Sequence, residues 1–415
     1  MMPGANMKID TNIKLPLAFI VYALIAFAAA QLIFLLHHDL LVAGQMRMPD
    51  IWMGAHFLLL GFALMVAMGA MYQLVPVAFL TPIWNQTFGF AQFYFTAIGI
   101  TGFAILLGIK PDSAIYGGII AVIGVMMFII QMTITIFKQE KKNKMTLFVA
   151  GAIICLSLTI AAGFLLAWNI ALGGIASHTK LVLSHIVLGV AGWFTLLIFG
   201  FSYKLVPMFS LSHGYSMKWA KASFFSYITG LIVLISSFWL ENNTLQTIGW
   251  LLLLIGYGLF VLDIADILKK RFKKKLDKPF SFALFAIWIG FSIHVLAVIF
   301  RLLGIHDPII WSWLIFLYIM GWIIFSILGY LYKIVPVLWW TYKYSDRVGK
   351  ERVPLLKDMI NEKLSLVLFS LFIIGVAGLA IGGIVHIEMA VFIFQSLLSL
   401  ISLVYTISII RVLFV

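Results

Sequence analysis

Apolar runs of roughly twenty residues recur along this chain, separated by short connections that carry most of its charge. Such a run is what crossing a hydrocarbon core of about 30 Å requires, and in lipid a backbone must satisfy its own hydrogen bonds. Each run therefore reads as a transmembrane helix. Twelve are read: about 15 to 36, 52 to 77, 88 to 109, 115 to 137, 146 to 168, 181 to 203, 222 to 240, 246 to 267, 280 to 302, 309 to 337, 364 to 384 and 389 to 410. With 63% hydrophobic and 10% charged residues, an ordinary water-soluble domain is excluded. The expected fold class is an all-α polytopic membrane protein, one membrane domain over residues 1–415 with membrane lipid as its surroundings. The opening residues, MMPGANMKIDTNIK, show no short apolar region with a small-residue cleavage site, so the first hydrophobic segment is expected to stay in the mature chain. The single cysteine, Cys155, lies within a span and reads as a small core residue.

Lysine and arginine set the orientation, because they collect on the cytoplasmic side of a membrane. With the first residues inside, 24 of the 28 fall on inner segments, including Lys8 and Lys141, and only Arg47, Lys110, Lys180 and Arg301 lie outside. Both termini are thus expected to be cytoplasmic, in a multi-pass cell-membrane protein. The net charge of +13 is an orientation signal, reinforced by anionic lipid at the inner face, and gives no argument for nucleic acid. Lys269 to Lys278 reads as a solvated basic loop, and Trp339 and Trp340 as interfacial anchors ending the tenth span.

One skeleton returns three times: GFALMVAMGAMYQLVP from Gly61 to Pro76, GWFTLLIFGFSYKLVP from Gly192 to Pro207, and GWIIFSILGYLYKIVP from Gly321 to Pro336. The copies lie 131 and 129 residues apart, which predicts three four-helix repeats, about 15–137, 146–267 and 280–410, in a pseudo-threefold arrangement. Glycines eight apart lie within about 80 degrees on a helix and offer a strip for close packing by a neighbour. The Tyr and Val-Pro that follow fall at the inner end, where the proline bends the helix and the hydroxyl is expected at headgroup level. The helix carrying each copy is expected in an inner ring.

Eight of the nine histidines map to the outer half or the outer connections. An ionisable residue inside a span is costly and is a functional hypothesis by default. His56, His185 and His294 qualify, on the second, sixth and ninth spans, and a neutral imidazole binds haem iron, copper and zinc. Ideal α-helical geometry turns His56 about 140 degrees away from the glycine strip and sets His185 nearly in line with it, so the two are expected in different clefts.

These residues resemble a family. Twelve spans with histidines at the outer ends of the second and sixth look like subunit I of the haem-copper oxidases and, closer in size, like the NnrS-type haem and copper membrane proteins. His56, Gly61, Gly69 and Pro76 reproduce the spacing of the NnrS-type second span, although its His-Glu-Met run reads His56, Phe57, Leu58 here and its additional histidine is Gly54. On the sixth span the echo is His185 with Ser210, Leu211, Ser212 and His213. The resemblance implies haem b, with copper as a second metal, in a redox or nitric-oxide-handling protein of a bacterial or archaeal cytoplasmic membrane. It implies His56 as an axial ligand, His185 or His294 as a ligand of the same or a second centre, and Arg301 as a partner for a haem propionate. An electron donor or small gas would be its partner.

The seventh and tenth spans contain no histidine, so the oxygen-reducing binuclear centre of the oxidases is not expected, and no acid series supports proton pumping. Asp263 and Asp266 read as solvated or backbone-bonded acids, and Met320 as a weak thioether candidate. Two other classes stay open: a metal-ion or small-solute permease using the histidines in transit, and a scaffold without a cofactor. Whether the chain is an enzyme is left open.

Overall fold

The computed structural model describes residues 12–140 and 142–415; Lys8 and Lys141, counted above as inner charges, lie outside the described residues. Among the described residues, twelve helices are long and apolar enough to cross a membrane. They are α1 (Lys14–Leu36), α2 (Pro49–Phe79), α3 (Gln86–Ile109), α4 (Pro111–Phe137), α5 (Lys144–Leu172), α6 (His178–Ser210), α7 (Ala220–Leu240), α8 (Asn243–Lys269), α9 (Lys278–Leu302), α10 (Pro308–Arg347), α11 (Glu362–Ile384) and α12 (Glu388–Val412). Each matches an expected span. α10 differs most, because the helix runs past Trp339 and Trp340 instead of ending there. Their indoles are tied to protein, Trp339 Nε1 donating to the Val415 oxygen (3.2 Å) and Trp340 Nε1 to the Pro354 carbonyl (2.7 Å).

Burial separates an inner set from an outer one. In the most apolar stretch of α10, α2 and α6, 78%, 61% and 56% of residues are buried, against 33–50% in the other nine helices. The outer helices pair as α3 with α4, α7 with α8 and α11 with α12. α4 then packs on α5, α8 on α9, and α12 back on α1, which closes a ring around α2, α6 and α10. The last seam is polar: Gln395 and Ser399 of α12 both donate to the Gln31 carbonyl of α1, at 3.0 and 2.9 Å. Hydrogen bonds between apolar helices hold a register that dispersion alone leaves loose.

The skeleton glycines explain how the inner helices reach their neighbours. A Cβ placed on Gly69 would lie 2.9 Å from Phe19 Cβ of α1, one on Gly200 3.0 Å from Phe148 Cβ of α5, and one on Gly329 2.7 Å from Ala283 Cβ of α9. Any side chain there would hold the pairs apart. After the prolines, α2 and α6 each end three residues on, with Leu80 and Leu211 left-handed at φ 52° and 53°, whereas α10 continues beyond Pro336. The skeleton tyrosines point into the protein. Tyr72, Tyr203 and Tyr332 are buried, with hydroxyls bonded to Gln92 (3.0 Å), Asp263 (3.1 Å) and Ser408 (2.7 Å).

Each inner helix also changes pitch at the same place in the skeleton. Phe57–Leu64, Val187–Phe194 and Tyr318–Ile324 are π-helical. A π-turn bonds five residues back, so everything on its outer side is rotated away from where an unbroken α-helix would carry it. His56 and His185 stand at the outer edge of two of these segments.

The glycine contacts give a direct test. Gly329→Val would press on the Ala283 backbone, with its nitrogen 2.9 Å from the new Cβ, and is expected to cost at least the about 1–3 kcal/mol of overpacking. Gly102→Ala meets nothing nearer than 3.8 Å and is expected to be tolerated. Thermal unfolding in detergent separates the two.

Candidate functional site

Among the described residues, no three or more His, Cys, Asp or Glu side chains are grouped to hold a metal ion. Any centre must therefore be built from fewer protein ligands, and the three intramembrane histidines differ sharply in what they can offer.

His56 of α2 and His185 of α6 have the same arrangement. His56 Nδ1 lies 2.8 Å from the Trp52 carbonyl and His185 Nδ1 3.0 Å from the Thr159 carbonyl of α5. A carbonyl only accepts, so in each ring the proton sits on Nδ1 and the Nε2 lone pair is left open. Neither Nε2 has a hydrogen-bond partner among the described residues. Fixing one ring nitrogen on a carbonyl is how a protein orients an imidazole for a metal on the other. His185 lies flat on α5 because residue 163 is glycine; a Cβ there would stand 2.9 Å from its Cε1. His56 has Phe103 of α3 edge-on at 5.1 Å.

His56 packs toward α3 and His185 toward α5. The expectation of separate clefts assumed unbroken α-helix, and the π-segments remove that assumption.

His294 of α9 has no nitrogen to spare. It is fully buried, its Nδ1 donates to the Gly290 carbonyl (2.7 Å), and its Nε2 faces the Tyr227 hydroxyl (3.3 Å). The chain of bonds extends from Tyr227 to Tyr318 (2.9 Å), from Tyr318 to Thr195 (2.8 Å) and from Thr195 to Trp322 Nε1 (3.1 Å). The His294 Nε2 only accepts, so the Tyr227 hydroxyl donates to it, while Thr195, which accepts from the Trp322 indole, also donates to the Val190 carbonyl (3.2 Å). Tyr257, at 4.5 Å between ring centroids, covers one side of the imidazole. His294 is thus the end of a satisfied network across α6, α7, α9 and α10, which corrects the expectation of an open ligand.

Arg301 likewise is engaged elsewhere. Its guanidinium donates to the Asn243 carbonyl (3.2 Å) and Oδ1 (3.0 Å) at the start of α8, and meets His306 Nδ1 at 2.9 Å. It ties the end of α9 to the start of α8 instead of facing a cleft with His294. Met320 is buried in the core. Beside the His185 end of α6, Lys180 pairs with Glu241 (2.6 Å), and that ammonium, by hydrogen bond and charge, holds the Glu241 carboxyl below its usual range. Asp263 accepts from Tyr203 and from the Trp219 backbone, and Asp266 from the Ser216 backbone, so both acids pin the loop after α6.

The other interhelical spaces are filled by rings. Phe19, Tyr72, Phe93 and Phe128 pack together in the first group of helices, and Phe282, Phe325, Phe369, Phe372 and Tyr405 in the third. The His294 network escaped sequence reasoning because its members are neutral hydroxyls scattered over four helices. Its only signal was the presence of Tyr and Thr at mid-span positions. No protein-family model matches the chain, and no curated protein resembles it significantly.

The network has a measurable worth. Tyr227→Phe leaves both the His294 Nε2 and the Tyr318 hydroxyl without their partner and is expected to cost about 1–3 kcal/mol, read as a lower unfolding temperature in detergent.

Proposed function

We propose that this chain is a haem-binding membrane protein resembling subunit I of the haem-copper oxidases, with redox or small-gas chemistry at one bis-imidazole centre formed by His56 and His185. The observation that carries the reading is the donor count. Two imidazoles with their Nδ1 protons fixed and their Nε2 lone pairs open are too few for a closed zinc site, which takes four ligands, but suffice for a haem, whose macrocycle supplies the equatorial nitrogens. The donor set therefore fits haem b better than a bare copper ion. When bound, haem supplies one-electron exchange or ligation of a diatomic gas. The chain's own residues hold the ring nitrogens: Trp52 and Thr159 set the tautomers, and Gly163 makes room for His185. The space of about 70 Å³ among α2, α6 and α10 touches no histidine and is separate from this centre.

The architectural part of the proposal is three four-helix repeats with both termini cytoplasmic. It is supported by the π-segments at matching skeleton positions, by the glycine contacts of α2, α6 and α10 to α1, α5 and α9, and by the 24 to 4 split of cations. His294 and Arg301 are left out of the centre. The full oxygen-reducing site and a proton pump are not part of the reading.

Absorption spectra and metal analysis of protein purified after expression with ample haem test it. A Soret band is expected, lost or shifted in His56→Ala and in His185→Ala and retained in Arg301→Gln. A colourless protein overturns the haem reading; if proteoliposomes then take up metal ions in a His185-dependent way, the permease reading replaces it.

A further inference from the structure

A partly open, almost wholly apolar space of about 70 Å³ lies between the inner helices, lined by residues of α2, α6 and α10. Its walls are layered by the repeated skeleton. Ala67, Ile198 and Ile327 occupy one position of the three copies, Ala70, Phe201 and Tyr330 a second, and Leu74, Leu205 and Ile334 a third, and all nine line the void. Two copies supply large side chains at the first two layers while α2 supplies alanine at both. The space is thus the volume that α2 leaves unfilled on the axis.

Its lining offers water little to bond. Tyr330 brings the only hydroxyl among the lining residues, and that hydroxyl is already bonded to Ser202 at 2.9 Å. A buried water needs two to four polar partners, whereas apolar cavities stay dry and accept apolar guests. About 10–15 Å³ of such space holds one water-sized molecule, so this one has room for a diatomic gas or a xenon atom. Closing it would be favourable if the helices were free to approach, since each void atom forfeits dispersion contacts. The glycine-backed contacts of α2, α6 and α10 with α1, α5 and α9 hold them back.

We infer that this axial space is a binding site for a small apolar gas molecule. The site rests on the packing of the inner helices alone and stands whether or not His56 and His185 hold haem.

Xenon is the probe. Crystals of the wild-type protein pressurised with xenon are expected to show a xenon peak between Ala67 and Ile327. Ala67→Ile, which copies the residue of the other two repeats, and Ala70→Phe are each expected to abolish it without lowering the unfolding temperature. Absence of xenon in the wild type, an ordered water bonded to Tyr330 in its place, or a xenon peak that persists in folded Ala67→Ile would each overturn the inference. The experiment needs no haem, so a colourless protein that still takes xenon would fail the metal reading and leave this one intact.

Discussion

Close approach of helix to helix through glycine is the contact on which the rest of this structure depends. Gly69, Gly200 and Gly329 let α2, α6 and α10 lie against α1, α5 and α9 with no side chain of their own at the contact. In lipid there is no hydrophobic drive to bring apolar helices together, so association rests on dispersion and on a few hydrogen bonds. Short interhelical distance is what makes dispersion large enough. Once three inner helices are fixed in this way, the outer helices pair around them and the α12–α1 seam, with Gln31 and Gln395, closes the ring.

The same fixed frame accounts for the distribution of polar groups. Where an interhelical space is filled by stacked and edge-on rings, the polar groups present are bonded to one another, as along the line from Trp322 to His294. Where two imidazoles each spend one nitrogen on a carbonyl and keep the other open, the packing supplies room instead, through Gly163 under His185. An unpaired polar group inside a membrane protein is expensive, which is why an imidazole nitrogen without a partner in a span points to a ligand.

The spans, the inner-ring position of the skeleton helices and the role of their glycines were legible in the sequence, since each follows from hydropathy or from spacing on a helix. The azimuth of the histidines was not. Nothing in Phe57–Leu64 or Val187–Phe194 marks a π-helix, because pitch there is set by packing and not by residue type, and a face calculated at 100 degrees per residue drifts once pitch changes. Arg301 shows another limit: it shares a helical face with His294 in sequence, yet its guanidinium is taken by Asn243 of a neighbouring helix. The partners of the skeleton tyrosines were hidden for a like reason, since Gln92, Asp263 and Ser408, which hold their hydroxyls, lie on other helices.

The central claim is that His56 and His185 serve one centre. Electron cryo-microscopy of the protein purified from haem-replete cells tests it most directly, by the density between the two rings. The account predicts a planar feature joined to both Nε2 atoms. Side chains packed between imidazoles that point apart, with no added density, would contradict it.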